Sequence, residues 1–286
     1  MNKIDQFESV FRSAVKDVFV YRHLDFQSIL VVTDLPATQA QALMEQVKSF
    51  ARVIHLDGGV DWRVLSKDDF RTTLELLTIV EQHCPDLIFT YRNLFSQAWQ
   101  HPHSLGEHLD VLVQMTNIPV VVVPHPEAGF AHKHAMMNTD VVMVVTDHLS
   151  NDHNLVNYGL RFTEDGGKLF LVHIEPEDIF ARFITAISKI ETIDTEEAET
   201  RLRHQLLKEP HDYIKTVKAV IERNQLPIKL SEIIQFGHHL TEYHRLIETN
   251  AIDLLVMNTK DEQQMAMHGK AYPLAVELRQ IPLLLI

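Results

Sequence analysis

Cysteine is nearly missing. Cys84 is the single one in 286 residues, which excludes an internal disulfide, a CxxC redox pair and a cysteine-built metal knuckle. In its apolar setting, EQHCPDLIF, this thiol is expected to be a small buried hydrophobe. Positive charge is short as well: 26 Lys and Arg face 39 Asp and Glu, a formal net charge of −13 with His neutral. That balance argues against nonspecific binding to nucleic acid or to an anionic membrane. No apolar run approaches the roughly 18 residues of a membrane span, and the start, MNKIDQFESV, has no secretory apolar core. A cytoplasmic protein with neither nucleic-acid nor membrane partners is expected. Catalytic signatures are missing too: there is no G-x-S-x-G elbow, H-E-x-x-H pair, GxGxxG turn or P-loop. The chain is therefore expected not to be an enzyme.

What is present is said twice. SILVVTD (Ser28 to Asp34) is echoed by VVMVVTD (Val141 to Asp147), and RVIHLD (Arg52 to Asp57) by LFLVHIE (Leu169 to Glu175). CPDLIFTYRN (from Cys84) matches AIDLLVMNTK (from Ala251), and IPVVVVP (from Ile118) matches IPLLLI, which ends at Ile286. Four echoes in one order point to an internal duplication. Between the apolar runs lie helical patterns. Phe70, Leu74, Leu77 and Val80 stripe the segment 69–83, and Ser104 with Glu107 reads as a capping box before Leu109, Leu112 and Met115. Ser150 is a candidate cap for 151–163, which EDGGK closes. Continuous apolar strands alternating with amphipathic helices imply an α/β protein with mostly parallel sheets covered on both faces.

The halves differ after their second strand. About fifty residues follow LFLVHIE, with an Ile/Phe stripe (Ile179, Phe180, Phe183, Ile184, Ile187) and a second helical tract broken near Pro210, so Pro176 to Asn224 is expected to be helical. In the first half only LDGGVD separates RVIH from WRVL. A parallel crossover needs about a dozen residues or more, and Gly-Gly suits a tight turn, so RVIHLDGGVDWRVL is expected to be a hairpin with an antiparallel edge strand. Residues 1–26 are expected to form an N-terminal helix, with Ile4, Phe7, Phe11, Ala14, Val18 and Phe19 on one side. The expected organisation is this helix, a first domain over 27–125, a linker over 126–138 and a second domain over 139–286.

These features together resemble a tandem universal stress protein. The matching residues are Asp34 and Asp147 closing the first strand of each half, the VHIEP strand end, the IDLLVMNT strand and loop, and the closing Ile-Pro-aliphatic strands. The resemblance covers nearly the whole chain from about Phe26 and is clearest in the second half. It implies two tandem open five-stranded sheets in the order 3-2-1-4-5 with helices on both faces, the first of them shortened. Some members bind ATP or AMP through a loop after the fourth strand: Gly, two residues, Gly, nine residues, Gly, then Ser or Thr. Those glycines let backbone amides approach phosphate oxygens at the start of the next helix. The same spacing here falls on Asn258, Asp261, Ala271 and Tyr272 in the second half, and on Tyr91, Leu94, Ser104 and Leu105 in the first. No glycine of the pattern remains, and Asp261 adds a negative charge where a phosphate would lie.

The resemblance therefore implies a stress-response protein that acts by protein interaction or assembly, with no cofactor and with nucleotide binding lost. The alternative is an ATP- or AMP-binding sensor using the second domain, in which Asp147, Ile174, Asn258, Lys260 and Gly269 would hold the ligand. Asp34 and Asp147, on the simpler view, order the turns that follow their strands. Partners expected are the two domains pairing within one chain through their last strands, a homodimer and an unknown protein. The histidine groups (His101, His103 and His108; His132 and His134) lack Cys or a longer-spaced pair, so no metal is expected. His55 and His173, at strand ends, are expected to bond the backbone.

Overall fold

A computed structural model describes residues 18–54, 59–101, 103–146, 152–259 and 271–286. In chain order its elements are β1 (Ser28–Val32), α1 (Ala37–Phe50), β2 (Asp61–Leu65), α2 (Thr73–His83), β3 (Leu87–Tyr91), α3 (Glu107–Met115) and β4 (Val120–Val123). After a stretch without helix or strand come β5 (Val141–Val145), α4 (His153–Phe162), β6 (Lys168–Pro176), α5 (Glu177–Ile187) and α6 (Thr195–Arg223). The chain then continues with β7 (Lys229–Gly237), α7 (His239–Asn250), β8 (Leu254–Met257), α8 (Ala271–Glu277) and β9 (Leu283–Leu285). It is an α/β fold in which the apolar runs are strands, because β-branched and aliphatic residues buried on both faces suit a covered parallel sheet. Every residue of β3, β4, β8 and β9 is buried.

The strands form one nine-stranded sheet, ordered β2-β1-β3-β4-β9-β8-β5-β6-β7. All neighbours are parallel except β4 and β9, which pair antiparallel with Val120 opposite Leu285 and Val122 opposite Leu283. The run β7-β6-β5-β8-β9 has the order 3-2-1-4-5, whereas the first half contributes only β2-β1-β3-β4. The closing strands of the two halves pair with each other, as expected, and this contact makes the two expected sheets continuous as one.

The expected hairpin is wrong. Arg52–Ile54 is a 3-10 turn, and β2 lies parallel to β1, Ser28 opposite Asp61. The reason is visible in the partners: the carbonyls of Val53 and Ile54 accept from the Arg161 guanidinium at 2.6 and 3.0 Å, so they serve no strand, and α1 supplies the crossover. The first half thus lacks a helical insertion and the edge strand that follows it. The expected helix over 1–26 is also corrected over 18–26, which carries neither helix nor strand; residues 1–17 lie outside the described residues. Pro176 to Asn224 is helical over α5 and α6, but α6 runs unbroken through Pro210.

Smaller expectations fail for local reasons. α2 starts on a capping box made by Thr72 and Glu75, which turns Leu74 outward and buries Leu76 and Val80. Cys84 is exposed, because it ends α2 in the left-handed region at φ 43°. The cap of α4 is Asp152, whose Oδ1 accepts from the Leu155 amide at 3.2 Å; Ser150 lies outside the described residues.

Candidate functional site

In a doubly wound sheet, ligands settle beyond the carboxyl ends of strands where the strand order reverses. Here those crevices lie between β1 and β3 and between β5 and β8. The first is filled by the protein itself. Tyr91, fully buried at the end of β3, donates its hydroxyl to Asp34 Oδ1, and Thr33 Oγ1 lies 2.6 Å from the same hydroxyl. The other carboxylate oxygen of Asp34 accepts the Phe95 amide at 2.7 Å. Burial first, and then the Asp34 carboxylate, push the Tyr91 phenol above its ordinary pKa. Asp34 is thus spent on ordering the loop after β3.

That loop is held in an unusual form. Asn93 and Phe95 both have φ near +60°, the left-handed region that costs a side-chain-bearing residue about 1–2 kcal/mol. The cost is offset by the Phe95 amide bond and by ring packing. Phe95 lies 5.3 Å from both Phe70 and His108, with the Arg71 guanidinium 4.4 Å above it. On the other flank, His125 stacks on Trp99 at 4.3 Å and meets the edge of Tyr91 at 4.8 Å. Burial lowers the pKa of His125, and the Asp34 and Glu127 charges oppose that shift.

The start of α3, where a phosphate could meet free amides, is closed by Asn93. Its amide donates to Leu105 O at 2.8 Å, its Nδ2 donates to Ser104 O, and Ser104 Oγ donates to Asn93 Oδ1, both at 3.2 Å. The expected capping box of Ser104 and Glu107 is therefore absent; the N-cap is Gly106, with no side-chain cap. Glycine is required there twice over. Its φ is +89°, and a Cβ would stand 2.6 Å from Asn93 Cα.

Of the five residues named for a nucleotide, Asp147, Lys260 and Gly269 lie outside the described residues. Asn258 sits at the second crevice, where its Nδ2 donates to Asp152 Oδ2. Burial pushes the Asp152 carboxyl up, opposed by its bonds to Leu155 and Asn258. Ile174 is fully buried in β6. Residues the sequence did not single out here are Asn93, Phe95 and Asp152. Their only sequence signal is a short polar or aromatic residue just past a strand or before a helix.

No family model and no curated protein matches this sequence. Solved structures do match in fold. A universal stress protein from Archaeoglobus fulgidus DSM 4304 superposes with a TM-score of 0.53 at 11% identity, covering 91% of this chain and 97% of its own. A putative universal stress protein from Pseudomonas aeruginosa UCBPP-PA14 gives 0.51 at 12%, covering 91% and 93%. A functionally unknown protein from Pseudomonas aeruginosa PAO1 gives 0.51 at 12%, covering 91% and 92%.

The chain has the universal stress protein fold. Within that fold two pairs of histidines stack. His101 and His103 stack with each other at 5.8 Å, and His132 with His134 at 5.3 Å. His108 instead bonds Arg71 O at 3.1 Å. Among the described residues no group of three or more His, Cys, Asp or Glu is placed to hold a metal ion. His173, expected to bond the backbone, has its Nε2 3.2 Å from Glu175 Oε2. His55 lies outside the described residues. Among the described residues no helix is long and apolar enough to cross a membrane.

Proposed function

We propose that this chain is a member of the universal stress protein family that acts through protein interaction or assembly in the cytoplasm, catalyses no reaction, and has lost ATP and AMP from both halves. The observation that carries this reading is the closed crevice at Asp34. Both carboxylate oxygens are taken, by the Tyr91 hydroxyl and the Phe95 amide, and the start of α3 packs on Asn93. A ribose hydroxyl reaching Asp34 would have to compete with the Tyr91 hydroxyl and the Phe95 amide. In the second half the sequence replaces the glycines by Asn258, Asp261 and Ala271 and the hydroxyl residue by Tyr272, and Asn258 is engaged with Asp152.

Losing several charge-assisted hydrogen bonds of roughly 1.5–3 kcal/mol each weakens a micromolar ligand to beyond millimolar. Calorimetry with ATP and with AMP is expected to give no binding heat up to millimolar ligand, and neither nucleotide is expected to raise the melting temperature. Micromolar ATP affinity that disappears in Asp147→Ala would overturn this reading and establish the nucleotide sensor.

A further inference from the structure

Residues 18–26 lie across the helices of the second half as a strap. Phe19 and Phe26 are its anchors, 3% and 5% exposed. Phe19 meets His153 and Tyr213 edge-on at 6.0 and 6.3 Å, in a pocket between α4 and α6. Phe26 meets Phe162 at 6.0 Å and Tyr158 at 6.4 Å, with the Arg161 guanidinium 5.9 Å from its ring. Between the anchors the side chains point out or lie half-covered, and Val18 and Val20 are exposed.

The main chain of the strap is read by side chains. Asn157, 2% exposed, donates Nδ2 to Val20 O at 3.0 Å and accepts the Arg22 amide on Oδ1 at 3.0 Å. A carbonyl and an amide two residues apart, paired to one amide group, is the pattern a neighbouring parallel strand provides; the Asn157 side chain replaces that strand. Thr216 Oγ1 accepts the Phe19 amide at 2.9 Å, and Arg161 Nε donates to Leu24 O at 2.8 Å. Among the described residues no main-chain-to-main-chain hydrogen bond ties 18–26 to the rest of the chain. The strap can therefore leave without opening the sheet, and backbone contacts made by side chains suit other sequences equally well.

We propose that the α4–α6 face is a peptide-binding groove whose resident ligand is the strap, and that it accepts in trans a segment of a partner protein with the same chemistry. That segment has two aromatic side chains seven residues apart and free amides, hence no proline, at the positions of Phe19 and Arg22. This inference names the surface of the interaction proposed above and rests on that reading.

The test uses the full chain and a fluorescein-labelled peptide with the sequence of residues 18–26. Phe19→Ala loosens the strap, and this variant is expected to bind the peptide at least tenfold more tightly than the wild-type chain, whose groove is filled. A peptide with both phenylalanines replaced by alanine is expected not to bind. Equal affinity of the two chains, absence of binding to a Phe19→Ala chain that is folded by circular dichroism, or equal binding of the alanine peptide overturns the proposal. Should Phe19→Ala not fold, hydrogen exchange of the wild-type chain decides. Faster exchange at the Phe19 and Arg22 amides than at Ile29 to Val31 supports a detachable strap, and exchange in step with β1 overturns it. Nucleotide titrations of the same samples keep a failure of the groove apart from a failure of the nucleotide reading.

Discussion

Arg92 lies inside the molecule and spends its guanidinium on main-chain oxygens. Nε and Nη2 donate to Ala275 O at 2.9 and 2.7 Å, and Nη2 donates to Leu278 O at 2.9 Å. Burial, with the neighbouring Arg279, lowers its pKa to about 9, so it remains a cation at neutral pH and faces the carbonyl end of α8. Arg92→Leu strips donors from these carbonyls and is expected to destabilise the fold by about 2–4 kcal/mol in urea unfolding; a loss under about 1 kcal/mol would show that the carbonyls find water instead. Asp253, 4% exposed, accepts the Val141 amide at 2.8 Å. Burial raises its pKa from 3.8 to about 6; the Val141 bond and His134 oppose the rise, and Asp140 and Glu164 add to it. The folded state thus holds this proton more tightly than the unfolded state. The stability it contributes is complete below about pH 4 and is lost as pH rises through about 6. Asp253→Asn keeps an acceptor for Val141 and removes the titration. It is expected to exceed the wild type in stability by up to roughly 3 kcal/mol at pH 7, with the gap closing towards pH 4. Denaturant midpoints at pH 4, 5.5 and 7 measure it, and a pH-independent gap would exclude Asp253 as the cause.

At the scale of elements, the insertion α5–α6 is where pattern and packing part. The stripe Ile179, Phe180, Phe183, Ile184, Ile187 has helical spacing, yet only Phe180 is buried and Phe183 is 58% exposed. Phe180 meets Phe236 of β7 edge-on at 4.9 Å, and the Arg203 guanidinium lies 4.6 Å from one ring and 4.3 Å from the other. Phe180→Ala is accordingly expected to cost about 3–4 kcal/mol, while Phe183→Glu changes stability by less than about 0.5 kcal/mol. Thermal melts of both variants check the contrast, and similar losses would mean that α5 packs on both residues. Pro210 shows packing overriding a local preference. A proline inside a helix costs about 3 kcal/mol, but the burial of Tyr213, Ile214, Val217, Val220 and Ile221 carries α6 through it.

At the scale of the molecule, the antiparallel contact of β4 with β9 makes one sheet of the two halves. Each closing strand, alone, would be an apolar edge open to another chain. Arg92 reinforces the seam from the end of β3 to α8, and Arg161 ties α4 to the 3-10 turn of the first half. Unfolding is therefore expected to be a single transition. Both tryptophans, Trp62 and Trp99, lie in the first half, so their fluorescence reports that half while far-ultraviolet circular dichroism reports the whole. The two melting curves are expected to coincide. A fluorescence transition several degrees below the circular dichroism transition would show halves that melt separately.

The sequence by itself determined most of the strands and most of the helices, because apolar β-branched runs and 3.6-residue stripes are local signals. It also marked IPVVVVP and IPLLLI as edges in need of a partner. Only the tertiary structure decided the direction of β2, since Arg161, more than a hundred residues away, takes the carbonyls that a hairpin would have used. The closing of the first crevice was likewise decided by distant pairs, Asp34 with Tyr91 and Phe95, and Gly106 with Asn93. So was the course of 18–26, whose apolar residues read as a helical face until Asn157, Thr216 and Arg161 supply its hydrogen bonds from another part of the chain. Periodicity records which residues are apolar, but a hydrogen bond between residues far apart in sequence leaves no trace in spacing.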